Sequence, residues 1–214
     1  MDESKQITIL GTGRLGTTLA DVLYQNGYAI ILGSRDPAAA SERKAVAKLI
    51  EKGIACLPIA TAAGASDIVV FAFPWYALVD IEREVGKLEK KIVLDCINPI
   101  SSSGSLSIGH KRSAGEEIQQ TFPLSYVVKG FNHLYVDHFR NPVFDGKPAS
   151  AFYCSNHDQA KAVFRDLART LGFDPIDIGP IKHARYLEPL AALWLQMAFH
   201  IGMGPDMTFN LISR

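Results

Sequence analysis

Three glycines near the start of the chain have a spacing that suits the binding of a phosphate group. Gly11, Gly13 and Gly16 form the pattern G-x-G-x-x-G. The first glycine permits a tight turn, the second lets a pyrophosphate approach the backbone, and the third lets a helix pack closely on a sheet. The free N–H groups and the dipole at a helix start attract the same anion. The spacing therefore predicts a pyrophosphate-binding turn, provided that a strand precedes it and a helix follows.

The residues around these glycines supply that context. Residues 7–10 are apolar and rich in β-branched side chains, as in a buried strand. Leu15, Leu19 and Leu23 recur at helical spacing, and residues 28–32 form a second apolar run. Strand, helix and second strand together make the pattern a dinucleotide-binding fingerprint. The residues expected to contact the pyrophosphate are Gly11, Thr12, Gly13, Arg14, Leu15 and Gly16.

The end of the second apolar run indicates which dinucleotide is bound. NAD sites usually place an Asp or Glu there to accept a hydrogen bond from the ribose. Here the run leads into Ser34 and Arg35, which offer a hydroxyl donor and a cation to a 2′-phosphate. Asp36 is the opposing signal, but it precedes Pro37 and so fits a helix N-cap followed by proline at the first helical position. The sequence therefore favours NADP.

The remaining pattern alternates apolar strands with amphipathic helices, which predicts an α/β fold. We expect a Rossmann-type, doubly wound, mostly parallel sheet with a small C-terminal α/β extension. Residues 1–148 form the predicted NADP-binding domain, and residues 149–214 the extension that completes the acceptor pocket. One helix is predicted over residues 37–52, where Arg43 either assists a 2′-phosphate or belongs to a solvated face. A long apolar helix over residues 181–203 suggests a homodimer interface.

Two further strand ends lie at the carboxyl edge of the predicted sheet, where open parallel sheets bind ligands. A wholly apolar strand over residues 68–73 leads from Phe73 into Pro74, whose backbone would face the cofactor. A strand over residues 91–96 is followed by Asn98. We expect Phe73, Pro74 and Asn98 to line the nicotinamide half of the site.

Composition excludes several classes of protein. The formal net charge is +0 and no long run of Lys or Arg occurs, so neither nucleic acid nor a membrane surface is an expected partner. Three well-separated cysteines without a C-x-x-C pattern indicate a reducing compartment. His133 and His138 are five residues apart with no third ligand at a suitable spacing, so we expect no metal site. The polar residues 1–6 predict no signal peptide, and no apolar run approaches the roughly 20 residues of a membrane span. We expect a cytoplasmic protein.

Several longer motifs carry a resemblance to a known family. They are GTGRLG, GSRDP, FPWYALVD, KRSAGEEI, VVKGFNHL, DPIDIGPIKHARYLEPLAALWL and GMGPDMTFNL. With these motifs the chain resembles the NADPH-dependent reductases of the deazaflavin coenzyme, and also the cytosolic part of the six-transmembrane epithelial antigen ferric reductases. The resemblance implies hydride transfer between NADP(H) and a small-molecule acceptor, which is a deazaflavin, FMN or FAD. It places the second ring system beside Asn132 and His133.

The resemblance leaves the protein's own chemistry open at two points. In the family a basic residue follows the G-S-R motif, but Ala39 stands near that position and Arg43 is the candidate substitute. His133 is the one candidate for a polar catalytic contact to the acceptor, and the alternative is a histidine that bonds only to local backbone.

A different class of function is a non-catalytic NADP(H)-binding sensor or partner subunit. A dehydrogenase using Lys129 or Lys182 as its base ranks third, because the chain lacks a full helical substrate domain.

Overall fold

The computed structural model describes residues 6–101 and 104–214. The prediction that the N-terminal residues contain no signal peptide concerns residues 1–5, which lie outside the described ranges. Its main feature is an eight-stranded sheet, and a separate two-stranded hairpin is formed by Val143–Phe144 and Lys147–Pro148. In chain order the strands are β1 (Gln6–Leu10), β2 (Ala29–Ser34), β3 (Ala55–Pro58), β4 (Ile68–Phe71), β5 (Ile92–Asp95), β6 (Tyr126–Gly130), β7 (Val143–Phe144), β8 (Lys147–Pro148), β9 (Ser150–Ser155) and β10 (Asp174–Asp177).

The strand order in the large sheet is β10-β9-β6-β5-β4-β1-β2-β3. Strands β1 to β6 run parallel, and the order reverses between β1 and β4, which leaves a crevice outside their carboxyl ends. Strand β9 is antiparallel to β6, and β10 is parallel to β9, so the chain after residue 149 extends the same sheet. The predicted Rossmann-type fold with a small C-terminal α/β addition is confirmed.

Helices cover both faces of this sheet, and the side chains of the central strands alternate between the two layers. In β4, Val70 belongs to the cluster that packs under the helices Arg14–Gln25 and Asp158–Thr170, whereas Val69 and Phe71 pack under the helices Ile59–Gly64 and Leu78–Val85. The helices are α1 (Arg14–Gln25), α2 (Pro37–Ser41), α3 (Lys44–Glu51), α4 (Ile59–Gly64), α5 (Leu78–Val85), α6 (Ala114–Thr121), α7 (Asp158–Thr170) and α8 (Ala184–Leu195).

The single helix predicted over residues 37–52 is wrong, because the structure has two helices there. Ser41 Oγ donates back to the carbonyl of Pro37 at 2.6 Å, a bond that competes with helix propagation. Arg43 then takes an extended conformation (φ −75°, ψ 128°) as the N-cap of α3. Because of this break, the Arg43 side chain does not lie on the same face as a continuous helix over residues 37–52 would place it.

The long helix predicted over residues 181–203 is also shorter than expected. A 3-10 turn at Ile181–His183 precedes α8, and a π-helical turn at Gln196–His200 ends it. Gly202 and Gly204 then adopt positive φ angles (+83° and +85°), and a right-handed helix cannot continue through such residues. The chain from residue 201 on is therefore an irregular tail. No helix in the described ranges is long and apolar enough to cross a membrane.

Candidate cofactor site

The glycine-rich turn has the close packing that its spacing predicts. Gly11 has φ +119°, and a Cβ there would lie 2.3 Å from the carbonyl oxygen of Ala72. A Cβ on Gly16 would lie 1.9 Å from the carbonyl oxygen of Gly11. A Cβ on Gly13 would instead meet no protein atom within 4 Å. Two of the glycines are therefore needed for packing, while Gly13 leaves open space where a phosphate could approach.

The start of α1 is built for an anion from outside the chain. Its N-cap is Gly13, which offers no side-chain hydrogen bond to the first amides, and the first turn contains no acidic residue. The first N–H groups of a helix need an acceptor, and the helix dipole favours a negative one. Leu15, predicted as a contact, packs its side chain against the core and contributes only its backbone to this turn.

The turn opens into a cavity of about 650 Å³ between β1, β2 and β4. Seven of the predicted contact residues line it: Gly11, Thr12, Gly13, Ser34, Arg35, Phe73 and Pro74. Asp36 lines it too, and small or apolar side chains form much of the remaining wall, namely those of Ala39, Ala40, Ile59, Ala72, Ala77 and Ile81. The structure thus brings the fingerprint turn, the end of β2 and the segment after β4 to one cleft.

Arg43 is a cation of this cleft that the predicted site residues did not include. It lines the cavity together with Arg35, and its Nη2 donates to Thr12 Oγ1. Within the described residues neither arginine forms an ion pair with a carboxylate. Asp36, the opposing signal for NADP, accepts a hydrogen bond from Ala39 N at 3.0 Å as the N-cap of α2. The cleft therefore carries two cations that are free to receive an anion.

The side chain of Arg14 points away from this cleft. Its Nη1 donates to Tyr135 Oη at 2.7 Å, its Nη2 lies 2.8 Å from Asp137 Oδ2, and its guanidinium carbon lies 4.8 Å from the centre of the Tyr135 ring. Tyr135 also stacks on Trp194. Of Arg14, only the backbone remains at the glycine-rich turn, and its side chain links that turn to the C-terminal part of the chain.

Asn98 and Asn132 are not part of the cavity wall, but they contact each other at the ends of β5 and β6. Asn98 Nδ2 donates to the carbonyl of Asn132 at 2.6 Å, and Asn132 Nδ2 donates to Asn98 Oδ1 at 2.9 Å and to the carbonyl of Leu187 at 3.0 Å. Phe131, before Asn132, is buried with φ +60°, a costly conformation outside glycine. Both amides are thus fixed at the carboxyl edge of the sheet, beside α8.

The structure places His133 in the interior. Its side chain is 3% exposed, and its Nε2 lies 3.1 Å from the carbonyl oxygen of Ser150, to which it can only donate. Burial lowers the pKa of His133 to about 4, so the ring is neutral near pH 7. His133 therefore bonds to main chain, as in the alternative to an acceptor contact, but to the main chain of β9 and not to its local backbone.

Lys129 does not have the environment of a dehydrogenase base. It is fully buried, and its Nζ lies 2.9 Å from Asp95 Oδ2 and 3.1 Å from Glu188 Oε1. Burial alone would lower the pKa of Lys129, but the two carboxylates raise it to about 12. Lys182, the other candidate, lies in the 3-10 turn before α8. In the part of the chain that the structure describes, no group of three or more His, Cys, Asp or Glu residues could hold a metal ion.

Sequence comparison finds a matching family and similar proteins that are oxidoreductases. Residues 6–99 match the family described as NADP oxidoreductase, coenzyme F420-dependent. The chain is 28% identical over 196 residues to metalloreductase STEAP3 from Rattus norvegicus, and 28% identical over 193 residues to metalloreductase STEAP2 from Homo sapiens. Each match covers 88% of this chain but only 36% of the relative. The chain thus spans about a third of the length of these relatives.

Solved structures extend the likeness to the whole fold. A candidate F420-dependent NADP-reductase from Arthrobacter sp. FB24 superposes with a TM-score of 0.89 at 29% identity, covering 97% of this chain and 99% of that one. A reductive aminase from Aspergillus terreus has a TM-score of 0.68 at 18% identity, covering 93% of this chain and 63% of that one, and shows the fold alone. NADP, the cofactor that the sequence favours, is also the cofactor of the matched family. The chain is therefore related to the coenzyme F420-dependent NADP oxidoreductases and to the STEAP metalloreductases.

Proposed function

We propose that this protein is an NADPH-dependent oxidoreductase that transfers a hydride to a deazaflavin or flavin-type acceptor. The observation that carries the proposal is the cleft that combines an uncapped helix start with two arginines that form no ion pair with any carboxylate of residues 6–101 and 104–214. The family match over residues 6–99 agrees with it. The reduced nicotinamide supplies the hydride when it is bound, and the protein supplies binding, orientation and exclusion of water.

The residues present fit each part of NADP. The amides after Gly13 would bind the pyrophosphate, because they have no internal cap and the space beside Gly13 is open. Ser34, Arg35 and Arg43 would bind the 2′-phosphate, with Arg43 in place of the family's basic residue near Ala39. Planar guanidinium groups match phosphate oxygens in pairs, so two arginines give both affinity and discrimination against NADH.

The nicotinamide half would lie along the carboxyl ends of β4, β5 and β6, on the far side of the point where the strand order reverses. Phe73 and Pro74 form the cleft wall at the end of β4, and Asn98 and Asn132 stand fixed at the next two strand ends. Fixed amides at that edge can hold a ring in one orientation for direct hydride transfer. No acid–base pair is needed for such a step, in agreement with the buried, neutral His133.

The C-terminal residues 149–214 are proposed to complete the acceptor pocket and to contact a second copy of the chain. Support comes from the ring cluster of Tyr135, Trp194 and Phe199, which joins this part of the chain to the glycine-rich turn through Arg14. Exposed apolar side chains are concentrated there, at Leu193, Phe199, Ile201, Met203, Leu211 and Ile212. A homodimer would cover this surface.

The test is NADPH oxidation followed optically, with the deazaflavin coenzyme, FMN, FAD and riboflavin offered in parallel and NADH as the control donor. We expect turnover with NADPH and at least one of these acceptors, and much slower turnover with NADH. Turnover with the deazaflavin alone would assign the acceptor, whereas turnover with flavins would place the protein beside the flavin and ferric reductases.

Two results would contradict the proposal. Tight NADPH binding without oxidation by any acceptor would favour the alternative, a non-catalytic NADP(H)-binding sensor or partner subunit. A preference for NADH would contradict the assignment of Ser34, Arg35 and Arg43 to a 2′-phosphate.

A further inference from the structure

A buried ionic cluster lies behind the ends of β5 and β6, and hydride transfer as proposed gives it no chemical step. Asp95, Lys129 and Glu188 are 0%, 0% and 1% exposed. Lys129 Nζ contacts Asp95 Oδ2 at 2.9 Å and Glu188 Oε1 at 3.1 Å, and it also donates to the carbonyl of Ile97. Because these three side chains are out of contact with solvent and do not line the cofactor cavity, none is available to exchange a proton with a bound ligand.

The cluster joins four separate elements of the fold. Asp95 ends β5, Lys129 lies in β6 and Glu188 lies in α8. The Glu188 carboxylate also accepts from the first amides of α6, with Oε2 3.0 Å from Ala114 N and Oε1 3.0 Å from Gly115 N. The free amides of a helix start favour a carboxylate at this place. The cluster therefore ties α6 and α8 to the carboxyl edge of the sheet.

The main chain at Ile97 is held at both of its polar atoms by this cluster. Its N–H donates to Asp95 Oδ1 at 2.8 Å, and its carbonyl accepts from Lys129 Nζ. The next residue is Asn98, which pairs with Asn132, and Asn132 in turn donates to the carbonyl of Leu187, the neighbour of Glu188. Asn98 is thus fixed from two sides, through the ionic cluster and through the paired amides.

Stability alone does not account for such a cluster. Desolvation of three charges often outweighs their mutual attraction, and apolar side chains of similar volume can replace a buried ionic triad with little loss of stability or a gain. A hydrogen-bonded ionic cluster differs from an apolar core in one respect. Its hydrogen bonds are directional, so they fix the position of the backbone atoms that take part in them. Here those atoms are the N–H and C=O of the residue before Asn98.

We propose that Lys129, Asp95 and Glu188 are positioning residues that fix the Ile97–Asn98 main chain in the place where it meets the nicotinamide half of the cofactor. The inference rests on the proposed NADP(H)-dependent function. It assigns to the cluster a role in one half of the cofactor site, since the adenosine half would bind at β1 and β2, away from the cluster.

The experiment compares two ligands on one variant. NADPH contains the nicotinamide, and adenosine 2′,5′-bisphosphate carries the adenosine and the 2′-phosphate without it. The variant K129M/D95N removes one positive and one negative charge together, and an amide at position 95 retains an acceptor for Ile97 N–H. We expect NADPH to bind roughly tenfold more weakly, the size expected for loss of one or two hydrogen bonds, with affinity for the bisphosphate within about twofold of wild type.

The matched control is K161M/D177N, which removes the ion pair of 3.0 Å between α7 and β10, far from the cofactor cleft. Both ligands should bind this variant as they bind the wild type. If K129M/D95N does not fold, the single variant D95N is measured in the same way, with the same expected difference between the two ligands.

Equal weakening of both ligands would overturn the inference, because it would indicate a general loss of structure. Unchanged binding of both would overturn it too. A wild-type protein that binds neither ligand would refute the proposed function, and the inference with it. A failure of the inference alone appears only in the variant, so the two failures are distinguishable.

Discussion

The two groups of positive charge at the carboxyl edge of the sheet differ in how their charges are satisfied. In the cofactor cleft, Arg35 and Arg43 are exposed and have no carboxylate partner among the residues described. In the interior, Lys129 is fully buried between Asp95 and Glu188. The availability of a positive charge, and not the residue type, therefore distinguishes a cation that could bind a ligand from a structural one.

The difference also predicts opposite consequences of mutation. An exposed cation in a cleft contributes little to folding, since surface charge pairs are worth about 0–1 kcal/mol, but its loss removes a partner for a bound anion. A buried cation binds no ligand, yet its loss leaves two carboxylates unpaired. The free energy of unfolding and the affinity for NADPH are therefore the two measurements that distinguish the exposed arginines from the buried lysine.

The largest expected effect is on stability, in K129M. Removal of the lysine alone leaves Asp95 and Glu188 buried without their partner, and breaking a buried pair in this way costs about 3–5 kcal/mol. Urea unfolding should show the loss, and D95N added to K129M should restore part of it. K161M, which breaks a more exposed pair, should lose about 1 kcal/mol or less. Equal losses in the two single variants would contradict the distinction.

His133 gives the second prediction, a loss of stability at acid pH. Its folded pKa of about 4 lies below the ordinary 6.5, so the stabilisation is present above pH 6.5 and is lost as the pH falls through the folded pKa. The shift corresponds to roughly 3 kcal/mol. Urea unfolding at pH 7 and near pH 4 should therefore show a smaller acid loss in H133Q than in the wild type.

H200Q, which removes an exposed histidine, is the control. Because each variant loses one histidine, the difference between H133Q and H200Q measures the effect of burial at position 133. An unchanged acid loss in H133Q would mean that its ring is not held neutral by burial.

The smallest effect is expected for R43A, in binding. Arg43 reaches the cleft from the break between α2 and α3, and its loss should weaken NADPH by about 1 kcal/mol, or roughly fivefold, with R35A at about 2 kcal/mol. NADH, without the 2′-phosphate, should bind both variants as it binds the wild type. K44A changes the next residue, which lines a different cavity between α1 and α3, and should have no effect. A loss for NADH as large as for NADPH would contradict a 2′-phosphate contact.

The parts of the site that are local in sequence could be predicted from it. Gly11, Gly13 and Ser34 follow from strand and turn chemistry over a few residues, and the structure brings them to one cleft. The N-cap role of Asp36 likewise depends only on Pro37 and the amide of Ala39. The mostly parallel, doubly wound sheet likewise followed from the alternation of strands and helices, although no strand order was predicted.

The remaining features depend on partners that are distant in the chain. Arg14 turns away from the phosphate turn because Tyr135, 121 residues later, accepts from it. Lysine is a residue type that can act as a catalytic base, but Lys129 is ion-paired with carboxylates from β5 and α8, which are distant in the sequence. Arg43 lay inside an apparently continuous helical pattern, and the break caused by Ser41 carried no separate signal. Propensity and spacing describe neighbours, so contacts between distant segments were out of their reach.

The two tryptophans of the chain occupy different optical environments as a result of this fold. Trp75 lies in the 3-10 turn after Pro74, and both Pro74 and Ala77, at the end of that turn, line the cofactor cleft. Trp194 is buried, stacked on Tyr135, and donates from Nε1 to the carbonyl of Met207 in the C-terminal tail. Fluorescence from the first should respond to a reduced nicotinamide nearby, and fluorescence from the second to detachment of the tail, so single-tryptophan variants would follow the two events as separate signals.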